Sequence, residues 1–221
     1  MSFYSSRDFA NNLVINAAAS GLYRDHAKRA LDFCLALLLA PIAIVLLAPL
    51  AALVALDGAS PFYWQKRVGL RGREFYMLKL RSMVPNADAL LVAYLAENPE
   101  ARREWDFHQK LKHDPRITRI GRLIRRTSLD ELPQLWNVFT GEMSLVGPRP
   151  IMCDQREIYP GSAYYLMRPG ITGLWQISDR NECSFAERAI FDTKYHHQMS
   201  FVADLSVISR TVGVVFRATG H

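Results

Sequence analysis

Leu31–Leu56, LDFCLALLLAPIAIVLLAPLAALVAL, decides how the rest of the chain is read. Asp32 is its only charged side chain. A helix needs roughly 20 apolar residues to cross about 30 Å of hydrocarbon, so the segment is long enough to be membrane-embedded. It is apolar on every face, unlike the one-sided stripe of a helix packed on a soluble core. Pro41 and Pro49 interrupt it. Proline removes a backbone hydrogen bond and presses on the preceding turn, so a kink at Pro41 is expected. Basic residues flank both sides: Arg24, Lys28 and Arg29 before, and Lys66, Arg67, Arg71 and Arg73 after. Lys/Arg excess marks a cytoplasmic flank, and an excess on both sides gives no crossing direction. A helix that enters, bends at Pro41 and leaves by the same face satisfies both flanks. An ordinary spanning helix with a tolerated proline also remains open. A cleaved signal peptide has a shorter apolar core and a small-residue cleavage site, so the run is expected to be retained.

The 221 residues suit one domain with an anchor, divided as 1–59 for the N-terminal and membrane segment and 60–221 for the domain that follows. Half the residues are hydrophobic, yet 22% are charged, too many for a polytopic membrane protein. Lys and Arg number 27 against 21 Asp and Glu, a net charge of +6. Such a balance suits nucleic acid, anionic headgroups or phosphorylated substrates, and composition does not choose among them. Cys34, Cys153 and Cys183 are scattered with no C-x-x-C, which argues against a disulfide scaffold or a zinc site and fits a reducing compartment.

Outward from the apolar run, Phe9–Ala19 reads as a short amphipathic helix. Pro61–Arg67 and Arg73–Leu80 read as two strands with Gly69, Arg71 and Gly72 between them. The pattern turns helical at Asn86. Asn98-Pro99 marks a break and restart, with Asn98 as N-cap of a helix over Glu100–Lys112. Asp114-Pro115 is a turn before a short basic helix, Thr118–Arg126. Pro160-Gly161 and Pro169-Gly170 punctuate a loop-rich stretch. Helices are expected over Phe185–His197 and Phe201–Arg217. The last carries apolar residues at helical spacing, to fill the core or to lie on a membrane interface; core is the expectation.

Leu123–Pro150, LIRRTSLDELPQLWNVFTGEMSLVGPRP, holds the chemistry. Asp130 and Glu131 are adjacent carboxylates, following the adjacent Arg125 and Arg126. Carboxylates hold divalent metals and arginines hold phosphate. Ser128-Leu129-Asp130-Glu131 also fits a capping box, and Pro133 favours Asp130 itself as the cap. Capping and catalysis both remain open on local pattern. Arg149 sits between Pro148 and Pro150, and Arg168 precedes Pro169-Gly170. Prolines restrict these arginines, which suits bidentate phosphate recognition as well as loop salt bridges.

Taken in order, several stretches resemble the bacterial sugar transferase family, the monotopic phosphoglycosyl transferases. They are the Pro41 helix, Gln65–Gly69, Lys79–Met83, Asp114–Thr118, Thr127–Leu135, Met143–Pro150 and Arg168–Gln176. The resemblance covers about Arg29–Thr211. It implies transfer of a sugar-1-phosphate from a nucleotide diphosphate sugar, a UDP-sugar above all, to polyprenyl phosphate. This is the first membrane step of exopolysaccharide or other glycoconjugate synthesis. It implies Asp130 as the nucleophile, forming a phosphoglycosyl-aspartate, and Glu131 with Asp130 as holders of Mg2+. Arg125 and Arg168 match basic positions near the phosphates, with Lys79 and Arg149 as helpers. The implied fold is mixed α/β and mainly α-helical. It has a re-entrant membrane helix kinked at Pro41, a β-hairpin and a compact helical and loop catalytic domain. The implied setting is monotopic in the inner membrane with the catalytic domain facing the cytoplasm. Membrane lipid is an implied partner, a homodimer is possible, and nucleic acid is not expected. Two departures stand out: Ala40, not serine, precedes Pro41, and Ser178-Asp179-Arg180 replaces a serine-glycine-arginine run. The competing reading is a non-catalytic membrane-tethered scaffold with a basic lipid- or partner-binding surface. A lipid acyltransferase lacks support, since no H-x-x-x-x-D pattern occurs.

Overall fold

A computed structural model describes residues 21–178 and 184–216. The Phe9–Ala19 helix, Asp179 and Arg180 of the departing loop, Cys183, and Arg217 at the end of the last expected helix lie outside these residues. The fold is mixed α/β and mostly helical, with two small two-stranded sheets.

A π-helical turn, Tyr23–Ala27, runs into helix α1, Lys28–Ala55, which contains both Pro41 and Pro49. Among the described residues it is the one helix long and apolar enough to cross a membrane. Most of it is left uncovered by protein, with Leu37, Leu38, Ile42, Ile44 and Val45 all exposed. Its small residues Ala36 and Ala43 instead enter the main core beside Leu135, Val138 and Val207. Both ends are bonded to the same body. Near the start, Arg29 donates to the Val138 and Phe139 carbonyls at 2.6 and 2.9 Å, and Asp32 accepts from the Leu145 N–H at 3.0 Å. At the far end, Arg81 grips Asp57 at 2.7 and 2.5 Å and the Val54 carbonyl at 3.1 Å. Val54 packs there against Leu80 and Ile124.

Strands β1, Phe62–Val68, and β2, Glu74–Leu80, form the expected antiparallel hairpin. Arg71 and Gly72 take left-handed backbone in the turn, φ 57° and 73°. Paired residues share a face, and faces alternate along each strand. The register Tyr63↔Lys79, Gln65↔Met77 and Arg67↔Phe75 therefore puts Gln65, Arg67 and Lys79 on the inward face with buried Phe75 and Met77.

Helices α2, Ala87–Glu97, and α3, Pro99–His108, follow. Asn98 does not cap α3; its amide donates to the Tyr94 carbonyl at 2.8 Å and closes α2 instead. Helix α3 stops short of the expected Lys112, since Gln109 turns left-handed at φ 55° and breaks the ladder. In α4, Arg119–Arg126, Thr118 does cap, accepting from the Gly121 N–H at 2.8 Å. A 3-10 turn, Leu129–Gln134, leads to helix α5, Leu135–Thr140. Asn137 of α5 is fully buried and satisfies the outer edge of β2, accepting from the Leu78 N–H at 2.9 Å and donating to the Tyr76 carbonyl at 2.7 Å. This bond pair docks the carboxylate segment onto the hairpin.

Strands β3, Ser144–Val146, and β4, Gly170–Thr172, pair in parallel. Gly147 and Gly170 lie backbone to backbone, and a Cβ on either would collide with the opposite chain. Helices α6, Arg188–Gln198, and α7, Phe201–Phe216, complete the described fold. The core expectation for α7 needs correction. Val207 is buried and Ile208 packs on the core, but Phe201, Val202, Leu205 and Val212 face outward. Its inner side is occupied by buried Asp204, which accepts from Lys28 at 2.6 Å, Tyr23 at 2.6 Å and Tyr195 at 2.5 Å. A buried carboxylate must be paired, and satisfying Asp204 turns the apolar stripe outward.

Candidate active site

Neither capping reading of the carboxylates holds. Asp130 and Glu131 lie inside the 3-10 turn, and Ser128 before it makes no side-chain capping bond. Ser128 is left-handed at φ 57°, a conformation disfavoured for a non-glycine residue, and Pro133 has no N–H to complete an α-helical turn. The tight turn thus leaves both carboxylates to interact with other elements.

Lys79 reaches them from the inward face of β2. Its Nζ lies 3.3 Å from Glu131 Oε1 and 3.8 Å from Asp130 Oδ2. Arg149, from the loop after β3, places Nη1 3.3 Å from the same Glu131 oxygen. Arg125 comes from α4, its Nε donating to Ser82 Oγ at 2.8 Å. These five residues line one open cavity of about 1920 Å³. Arg168 is not brought to them: its Nε donates to the Gly141 carbonyl at 2.9 Å, near Arg29 and Asp32, and it does not line the cavity.

Burial sets the electrostatics. It pushes Asp130 above the usual carboxylate range; Glu131 adds to the shift, while Lys79, Arg125 and Arg149 oppose it. Burial likewise pushes Lys79 down against the pull of Glu131 and Asp130, and pushes Arg125 down against Asp130. The result is a dehydrated carboxylate ringed by dehydrated cations. Such a carboxylate is a stronger nucleophile than a solvated one, and the cations can donate to the oxygens of a phosphate.

Among the further residues that line the cavity, Arg67, Trp175, Gln176 and Arg188 escaped the sequence reading as site residues. Arg67 is pushed down to about 10 by burial and by the charge of Arg149. It donates to the Pro150 carbonyl at 3.0 Å and to Gln65 Oε1 at 2.5 Å. Strand alternation with Phe75 and Met77 carried that signal. Arg188 stacks its guanidinium 4.2 Å from the Trp175 ring centroid and 4.7 Å from that of Phe185. Burial and Arg149 push it down to about 9, still well above neutral. No local pattern marks it.

Among the described residues no group of three or more His, Cys, Asp or Glu side chains converges. Two neighbouring carboxylates opening on a cavity nevertheless fit an ion that takes one or two carboxylates and completes its shell with phosphate and water, as Mg2+ does.

The bacterial sugar transferase family profile matches residues 23–218. The chain is 45% identical over 217 residues to a UDP-galactose-lipid carrier transferase of Erwinia amylovora, covering 96% of this chain and 46% of that protein. It is 44% identical over 201 residues to the exopolysaccharide production protein ExoY of Sinorhizobium fredii, covering 88% and 87%. It is 46% identical over 195 residues to an undecaprenyl-phosphate galactose phosphotransferase of Salmonella typhimurium, covering 87% and 41%. It therefore spans less than half of the Erwinia and Salmonella proteins and most of the Sinorhizobium one. With its long apolar helix, hairpin and carboxylate turn all inside the matched span, the chain belongs to the bacterial sugar transferase family.

Proposed function

We propose that the protein transfers a sugar-1-phosphate from a nucleotide diphosphate sugar, a UDP-sugar, to polyprenyl phosphate, as an early step of exopolysaccharide or related glycoconjugate assembly. The observation that carries this reading is the cavity itself. It joins Asp130, Glu131, Lys79, Arg125 and Arg149 to Leu39, Ile42, Ala43 and Leu46 of the membrane helix. A charged phosphate site and a lipid-facing wall share one space. The names of the relatives support the same substrate class.

Asp130 attacks the phosphorus that bears the sugar, and the bond to the leaving nucleoside monophosphate breaks. An oxygen of polyprenyl phosphate then attacks the same phosphorus, freeing Asp130 and forming a diphosphate-linked lipid. Splitting the transfer lets a soluble donor and a lipid acceptor use the site in turn. Phosphoryl transfer depends mainly on positioning and on neutralising oxygen charge. Lys79, Arg125 and Arg149 supply fixed positive charge to the entering oxygens, and Lys79 also helps keep Asp130 ionised. Glu131, with Asp130, would hold Mg2+, which supplies further charge neutralisation when bound. Arg168 acts elsewhere, bracing the loop after α5.

The membrane arrangement proposed is monotopic, on the cytoplasmic face of the inner membrane, with α1 bending at Pro41 and leaving by the face it entered. Arg29 and Arg81 support this by tying both ends of α1 to one body. At 1.5 Å per residue the helix is about 42 Å long, so ends on opposite faces of a bilayer would break one tie. The outward Phe201, Val202, Leu205 and Val212 of α7 and the exposed Trp136, stacked 6.0 Å from Phe139, provide an apolar surface for the interface.

The test is incubation with labelled UDP-sugars and Mg2+ in the absence of acceptor. Release of nucleoside monophosphate together with labelled protein is expected, and Asp130→Asn removes both. Absence of release and of labelling across a broad donor panel rejects the transferase.

A further inference from the structure

Gln176 lies in the turn after β4, 7% exposed, and lines the same cavity as Asp130. Neither Nε2 nor Oε1 of its amide has a hydrogen-bond partner among the described residues. The adjacent Trp175, 5% exposed, buries its indole Nε1 in the same condition, and so does Arg188 with its Nε. All three residues face the cavity. Buried polar groups are nearly always paired, so a cluster of unpaired ones at a cavity wall marks a surface that awaits a ligand. The turn is held in place. Gly173 packs so tightly on the Gly147 carbonyl that no Cβ would fit, and the Ile177 and Ser178 N–H groups donate back to Gly173 and Trp175.

The place of this corner follows from Arg149. Its guanidinium bonds Glu131 at 3.3 Å and stands 6.0 Å from the Trp175 ring centroid. The corner therefore begins one side chain beyond the phosphate site. Its inventory is three donor nitrogens and one acceptor oxygen. A phosphate, with acceptors only, leaves Gln176 Oε1 unmatched, and a lipid tail matches nothing. A ring that carries an acceptor next to a donor matches the pair on Gln176.

We propose that Gln176, assisted by Trp175 and Arg188, determines donor specificity by reading a ring with adjacent donor and acceptor groups. Those groups are the hydroxyls of the hexose or the imide edge of a uracil base. The proposal rests on the transferase reading and deepens it. A site built to hydrogen-bond its substrate rejects analogues that lack the partner far more strongly than an apolar pocket does.

Gln176→Leu keeps the volume and removes both amide atoms. Its kcat/KM for nucleoside monophosphate release is compared with wild type over two donor series. One carries glucose, galactose or N-acetylglucosamine on UDP; the other carries glucose on UDP, TDP or CDP. TDP retains the imide edge and CDP lacks it. Loss of two hydrogen bonds is expected to compress selectivity by about tenfold or more in one series. Compression among hexoses assigns the corner to the sugar, and compression among bases assigns it to uracil. The melting temperature of Gln176→Leu is expected to equal or exceed wild type, because an apolar group replaces an unpaired amide. If that variant does not fold, Gln176→Asn, which keeps the amide but shortens its reach, gives the same readout. A folded variant with both selectivities unchanged overturns the proposal while leaving the transferase intact. Wild type that turns over no donor overturns the transferase reading and this one with it.

Discussion

Replacing Lys79 by methionine should move the pH dependence of the first half-reaction. In the proposed mechanism Asp130 attacks as the carboxylate, and burial already pushes it above the usual range. Lys79 is the largest force in the other direction, with its Nζ 3.8 Å from Asp130 and 3.3 Å from Glu131. At an effective dielectric near 20, a unit charge at such a distance attracts by roughly 4 kcal/mol before desolvation. Arg125 and Arg149 still pull Asp130 down in the variant and Glu131 still pushes it up, so the variant loses the largest single force that opposes burial. The sign follows: without Lys79, burial is less opposed, Asp130 rises further, and the acid limb of the rate profile moves to higher pH. Below the limb, each unit costs about tenfold in rate. The assay is single-turnover release of nucleoside monophosphate without acceptor, followed from acid to alkaline pH. Lys79→Arg keeps the charge and should keep the limb. A Lys79→Met profile lowered uniformly, with its acid limb where wild type has it, refutes the assignment of Lys79 to Asp130 ionisation.

Asn137→Ala strands the Leu78 N–H and Tyr76 carbonyl on the β2 edge; a loss of about 2–4 kcal/mol in urea unfolding is expected, and a loss below 1 kcal/mol would mean the docking is unimportant. Asp192, bonded to Tyr159, is pushed by burial from 3.8 to about 7. The folded chain therefore keeps a proton that the unfolded chain has released, and stability should fall as pH rises from about 4 to about 7. Asp192→Asn should flatten that slope in thermal melts; an equally steep slope in the variant would place its origin elsewhere. For topology, single cysteines at Leu22 and Ser60, in a chain with Cys34, Cys153 and Cys183 replaced, should label from the same membrane face. Labelling from opposite faces rejects the re-entrant arrangement.

Much of the fold was legible because its signals are local. The apolar run predicts α1, and the runs on either side of Gly69–Gly72 predict the hairpin to within a residue. Thr118 reads correctly as the start of a basic helix. Caps were less legible. Asn98 and Asp130 are both good N-cap residues by type, yet Asn98 closes the previous helix and Asp130 falls inside a 3-10 turn. Side-chain type states which bonds are possible, and the path of neighbouring backbone selects among them. The outward stripe of α7 has a similar origin, since the pairing of Asp204 with Lys28 across the fold outranks the packing of four apolar side chains.

The sequence by itself determined that a helix long and apolar enough to cross a membrane precedes a domain bearing an adjacent carboxylate pair, because apolar length and residue identity need no context. Only the tertiary structure decided which cations serve that pair. Lys79 and Arg149 converge on Glu131 from separate elements, Arg125 lines the same cavity, Arg188 joins through the Trp175 ring, and Arg168, equally basic and followed by a proline, is turned away to Gly141. Charge pairing acts over a few ångströms in space, whereas propensity and periodicity act over a few residues along the chain. Lys79 and Glu131 are 52 positions apart, so nothing local in either stretch records that they meet.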